Sequence, residues 1–221
     1  MLRECIPLKQ TEGWEGSGSA TLWGVKRALP WILGVLMLTA VVAVGLGQAG
    51  GDGEQEAAPA APPFDLQAAL TELDGAPAPL AALHEQSSEL LGGGVPAFRA
   101  RLKELRGNPV VINKWASWCG PCRAEFPVFQ RVATDRGKQV AFLGSNSGDS
   151  TDPAREFLAE YPIPFPSYLD PDEKIAQELG APANYPITVF VDAKGETAFI
   201  HQGPYETEQD LTADIDRYLG A

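Results

Sequence analysis

Trp115-Ala116-Ser117-Trp118-Cys119-Gly120-Pro121-Cys122-Arg123-Ala124-Glu125-Phe126-Pro127 decides how the rest of this chain is read. The apolar run Val110-Val111-Ile112 leads into it and predicts a buried strand. Behind it Phe126, Phe129 and Ala133 recur at i, i+3, i+7, which predicts a helix over Cys119–Asp135. Cys119 therefore stands at a strand-to-helix junction, with Cys122 one turn further in. Unpaired N–H groups and the positive end of the helix dipole favour a thiolate at the first position. Two intervening residues bring both sulfurs to one face, close enough to bridge. Such a pair can attack a disulfide, hold it as a mixed disulfide and release it through the second thiol.

Cys-x-x-Cys is also half of a zinc site, or a plain structural disulfide. Zinc wants two more Cys or His ligands at structured spacing. The remaining candidates, Cys5, His84 and His201, are scattered. A structural bridge has no need of the flanking tryptophan or the intervening Gly120-Pro121. The redox reading fits best, and it requires no cofactor or metal beyond the dithiol itself.

Trp118-Cys119-Gly120-Pro121-Cys122 matches the thioredoxin active site. Together with Pro127 and with Tyr185-Pro186 ahead of an apolar strand, the pattern from about Arg106 to the C-terminus resembles the membrane-tethered, extracytoplasmic TlpA/ResA branch of the thioredoxin superfamily. That resemblance implies a thiol–disulfide oxidoreductase, a reductant of extracytoplasmic protein disulfides, supplied with electrons by a membrane thiol reductant. Clients in that branch are often apocytochrome c or the cysteine pair of a copper site. The resemblance implies a cis bond at Tyr185-Pro186, presenting the Tyr185 backbone to an extended client segment, with Trp118 beside it. It also assigns a role to Glu125. Asn113 stands where cytoplasmic thioredoxins keep a buried acid that handles the second cysteine's proton, and an amide cannot do so. Glu125, three residues beyond Cys122, can, and its carboxyl is expected to titrate high beside a thiol. A solvated helix carboxylate is the plain alternative.

The chain has 221 residues and a net charge of −12, so a phosphate-binding basic surface is excluded and nucleic acid with it. Residues 1–27 read as a short cytoplasmic tail, with Cys5 incidental. Ala28 to Leu46 carries no charge and at ~1.5 Å per residue covers roughly 28 Å, enough for a bilayer core. Lys26 and Arg27 precede it, and no Lys or Arg follows until Arg99, which places everything beyond it outside the cytoplasm. A cleaved signal peptide is the competing reading, disfavoured by the length of the apolar run. Residues 47–63 form an Ala/Pro/Gly linker.

Residues 64–106 predict a helical extension: Leu66, Leu70 and Leu73, then Leu80, Leu83, Ser87 and Leu91, then Phe98, Leu102 and Leu105. His84 reads as a surface histidine. Residues 107–221 alternate strand and helix signals, as an α/β thioredoxin fold with a central mixed sheet requires. Strands are expected at Val110–Ala116, Val140–Leu143, Ile187–Val191 and Thr197–His201, the last two joined by a hairpin over Asp192-Ala193-Lys194-Gly195. Asp152 is expected to cap a helix with Pro153 at its first position. Pro162, Pro164 and Pro166 give an irregular crossing, Pro171–Leu179 a short helix, and Thr207 the cap of a last helix burying Leu211, Ile215 and Tyr218. Lys114 interrupts an apolar strand, either snorkelling out or tuning the site. Two other functions remain open. One is a copper chaperone with Cys119, Cys122 and His201 as ligands, against which the two-residue spacing speaks. The other is a thiol peroxidase, which needs a threonine three residues before its cysteine that neither Cys119 nor Cys122 has.

Overall fold

The computed structural model describes residues 63–221. In chain order these form α1 (Leu66–Glu72), α2 (Ala78–His84), β1 (Leu90–Leu91), α3 (Gly94–Glu104), β2 (Val110–Trp115), α4 (Gly120–Arg136), β3 (Ala141–Ser147), α5 (Thr151–Glu160), β4 (Ser167–Asp170), α6 (Lys174–Glu178), β5 (Ile187–Val191), β6 (Thr197–Gln202) and α7 (Glu208–Leu219). The six strands make one mixed sheet in the order β1-β4-β3-β2-β5-β6. β1, β4, β3 and β2 run parallel, and β5 and β6 are antiparallel additions. This is the thioredoxin-type α/β arrangement the element order predicts.

Both faces of the central strands are covered, so β2 is buried along its whole length and alternates its side chains between two cores. Val111 and Trp115 point to one core with Phe126 and Phe129 of α4, Phe157 of α5, and Leu211 and Ile215 of α7. Val110 and Ile112 point to the other with Leu80 and Leu83 of α2, Phe98 of α3 and Ile175 of α6. The segment 64–106 therefore supplies much of the second layer rather than hanging beside the domain.

Several expectations are corrected in detail. The extension read as helical also contains β1, whose two residues pair with Ser167 and Tyr168. β3 runs on to Ser147 because Gly144–Asn146, polar as they are, pair with both β2 and β4, and Ser147 pairs with β4. The crossing after Pro166 becomes β4, a strand the prolines hid. α5 starts at Thr151 with Ser150 as its cap residue, and Asp152 lies in the first turn. The short helix is confined to Lys174–Glu178. Tyr218 is half-buried, its ring stacked 4.0 Å from Phe199. His84 is half-buried against Gly137 rather than on the surface, and that burial lowers its pKa although a Gly137 backbone hydrogen bond opposes it. Thr207 caps α7 as expected, accepting from the Asp210 N–H at 3.2 Å.

Among the described residues no helix is long and apolar enough to cross a membrane. The segment expected to do so, 28–46, lies outside them, as do the tail and most of the linker.

Candidate active site

β2 ends at Trp115, and the chain turns directly into α4 with Cys119 as the N-cap. Pro121 in the first turn costs nothing, since its missing N–H is one of the helix's unpartnered donors. Cys119 Sγ accepts the Cys122 N–H at 3.1 Å, so the helix end already directs a donor at this sulfur. Cys119 and Cys122 are joined by a disulfide, their Cα atoms 5.3 Å apart. Cys119 retains 4% exposure and Cys122 none. An incoming sulfur therefore meets Cys119.

Glu125, one turn past Cys122, is 0% exposed. It accepts from Asn113 Nδ2 at 2.7 Å and from the Tyr205 N–H at 3.2 Å, and no cation among the described residues pairs with it. Burial pushes its carboxyl up to about 8, against the downward pull of those two donors. The solvated-carboxylate alternative is thereby excluded. Asn113 is present beneath the cysteines, but as a donor to Glu125.

On the other side of the motif, Trp118 is 61% exposed. Its Nε1–H donates to the Gly148 carbonyl at 3.0 Å, and its ring meets the edge of Tyr185 at 4.9 Å. The Tyr185-Pro186 bond is cis. Tyr185 Oη donates to the Ser147 carbonyl at 2.9 Å. Trp118, next to Cys119 in the chain, and Tyr185, next to Pro186, thus pack against each other.

Lys114 does not snorkel. It is 1% exposed, and its Nζ lies 2.9 Å from Glu173 Oε2, 2.9 Å from the Pro182 carbonyl and 3.5 Å from that of Asn184.

His201 sits on β6, stacked on Tyr205 at 4.1 Å and 3.8 Å from Asp214. Among the described residues no group of three His, Cys, Asp or Glu side chains is gathered as a metal site.

Two residues of this region escaped the sequence reading. Asp149 accepts from the Ser117 N–H at 2.6 Å, Ser117 Oγ at 3.0 Å, Asn146 Nδ2 at 2.9 Å and the Ser150 N–H at 2.8 Å, fixing the approach to the cysteines. Partial burial would raise its pKa, but these donors outweigh it and hold the carboxyl below its ordinary range. An Asp followed by Ser at a helix start is the signal that could have found it. Glu173 is the other; nothing local in the sequence points to it.

Comparison with known proteins follows the same lines. Residues 96–216 match the Redoxin family model. The chain belongs to the Redoxin family, in the ResA/DsbE group of the thioredoxin superfamily. It is 35% identical to the thiol:disulfide interchange protein HelX of Rhodobacter capsulatus over 70% of this chain and 82% of HelX. It is 35% identical to the thiol:disulfide interchange protein DsbE of Pseudomonas fluorescens over 50% of this chain and 66% of DsbE, slightly under two thirds of that protein. With the thiol-disulfide oxidoreductase ResA of Geobacillus kaustophilus it shares 29% identity over 61% of this chain and 79% of ResA. The Redoxin domain with its bridged Cys119–Cys122 pair makes this chain a thiol–disulfide oxidoreductase, one whose turnover requires redox partner proteins.

Proposed function

We propose that the chain reduces protein disulfides outside the cytoplasm, tethered by residues 28–46, with Cys119 as nucleophile, Cys122 as resolving thiol and Glu125 as the base that serves it. The reduced Cys119 thiolate attacks one sulfur of a client disulfide. The client S–S bond breaks, its other sulfur leaves as a thiolate, and a Cys119–client bond forms. Glu125 takes the Cys122 proton, and the Cys122 thiolate attacks Cys119 Sγ. The second client sulfur leaves, and the pair ends in the bridged form. Two electrons pass to the client, whose two thiolates take up protons, and a membrane thiol reductant returns the pair to its dithiol. Trp118, Tyr185 and Pro186 receive the client segment as an added extended strand.

The observation that carries this reading is the placement of a wholly buried carboxyl, met by two neutral donors and no cation among the described residues, one turn beyond a bridged and inaccessible Cys122. A carboxyl with a pKa near that of a thiol can exchange a proton with it at little cost. The kinship with proteins named thiol:disulfide interchange proteins supports the activity, and the charge pattern around 28–46 supports the location.

The test uses two variants. Cys119→Ser abolishes reduction of a protein disulfide, and Cys122→Ser accumulates a mixed disulfide through Cys119, visible as a mass adduct that dithiothreitol removes. Normal turnover by Cys122→Ser would refute the two-thiol scheme. A reporter fused after Gly50 that is active in the cytoplasm would refute the location.

A further inference from the structure

Lys114 is a buried ammonium in a strand whose same-face neighbours Val110 and Ile112 belong to an apolar core. Burying a charge is costly unless it is paired and hydrogen-bonded, and apolar side chains in place of a whole buried ion pair are often no less stable. The three donors of Lys114 are all directed, to Glu173, the Pro182 carbonyl and the Asn184 carbonyl, and the ammonium lies 3.9 Å from the centroid of the Tyr185 ring. Every one of these partners except Glu173 lies in the loop that ends in the cis Tyr185-Pro186 bond.

Glu173 approaches from the loop between β4 and α6, and its backbone adopts φ 56°, a left-handed conformation disfavoured for a residue with a Cβ. Such strain persists where surrounding structure imposes it. Here it aims the carboxylate at Lys114. Gly148 completes the junction: a Cβ on it would lie 2.8 Å from Tyr185 Oη and 3.2 Å from Glu173 Oε1, and its carbonyl holds Trp118. Four segments are therefore tied together, namely β2, the β3–α5 loop, the β4–α6 loop and the cis-proline loop.

We infer that Lys114, paired with Glu173, is a positioning residue that sets the client-binding wall of Trp118 and Tyr185-Pro186, and so determines selectivity for disulfides carried in extended polypeptide over small disulfides. This rests on the proposed disulfide reduction. Small disulfides need only the sulfur of Cys119; a polypeptide needs the loop backbone in register as well.

The experiment compares reduced full-length wild type, Lys114→Met and Glu173→Gln. Rates are measured on an oxidised peptide with its disulfide in an extended segment and on 5,5′-dithiobis(2-nitrobenzoic acid), with thermal midpoints alongside. The peptide-to-small-disulfide rate ratio is expected to fall about tenfold in Lys114→Met and roughly threefold in Glu173→Gln, the scale of losing charge-assisted hydrogen bonds. Lys114→Met leaves Glu173 and the Pro182 and Asn184 carbonyls without their donor, so its thermal midpoint should fall; the rate ratio, which a merely structural role would not move, carries the test. A folded variant with an unchanged ratio overturns the inference, as does a parallel fall of both rates. Should Lys114→Met fail to fold, Glu173→Gln decides by the same ratio. Wild type inactive on both disulfides overturns the underlying reading and this inference with it; wild type active on both, with unchanged ratios in the variants, overturns this inference alone.

Discussion

Asn113 and Lys114 are consecutive on β2, yet they carry polarity into opposite faces of the sheet and meet opposite treatment there. On the α4 face, Asn113 donates to a carboxyl that has two neutral donors and, among the described residues, no cation. On the α6 face, Lys114 has a carboxylate and two carbonyls. Glu125 is consequently left under-compensated, and its proton is held until about pH 8. The lesson is that burial alone does not decide what a charged group can do. Incomplete pairing leaves a group ready to exchange a proton, whereas full pairing makes a brace.

The comparison breaks most readily on the Glu125 side. Glu125→Gln should leave the first attack intact but slow release of the mixed disulfide by roughly 10²-fold, within the range of general-base contributions. Single-turnover release across pH should rise through about 8 in wild type and lose that limb in the variant. An unchanged profile would reduce Glu125 to an inert buried acid.

Stability offers a second, independent check. A carboxyl whose folded pKa is raised binds its proton when the unfolded chain has already released its own. Between the ordinary value of 4.5 and about 8 the oxidised protein should therefore lose stability as pH rises, and level off above. The loss amounts to a few kcal/mol at about 1.4 kcal/mol per pKa unit. Glu125→Gln should flatten this window in urea unfolding of the oxidised form, where neither cysteine titrates. A wild-type curve already flat over that window would contradict the raised pKa.

Gly148→Ala probes the brace. Its φ of +60° disfavours alanine, and the added Cβ meets Tyr185 Oη. We expect a destabilisation of about 1–2 kcal/mol, together with weaker reduction of peptide disulfides. Normal stability would show that the junction yields. The smallest effect expected is for Asp149→Asn, about 1 kcal/mol at neutral pH. Asp149 has the opposite sign from Glu125: its depressed pKa contributes stability above the unfolded value, lost as pH falls below about 4. The variant should remove that part of the acid limb, read by thermal melts between neutral and acid pH.

Much of this was legible in the residues. The cysteine motif located the junction, strand periodicity located β2, β5 and β6, and the family resemblance pointed to Glu125 and to the cis bond at Pro186. β1 and β4 were not legible, because two leucines are too few to show a period and Ser167–Asp170 follows a run of prolines. The Lys114–Glu173 pair was invisible for another reason. Its partners are far apart in the chain, and spacing informs only about neighbours on one element. The surface assignment of His84 failed similarly, since Gly137, which it packs against, comes from the far end of α4.

The brevity of β1 has a consequence for crowding. An outermost strand is normally a template on which other chains can stack, and proteins blunt it by shortening it. Here the outer strand pairs through Leu90 and Leu91, and turns at once through Gly93 into α3. Under the proposed function this enzyme meets disulfides carried in extended segments of other chains. Curtailing that border of its sheet lowers the chance of off-target strand pairing.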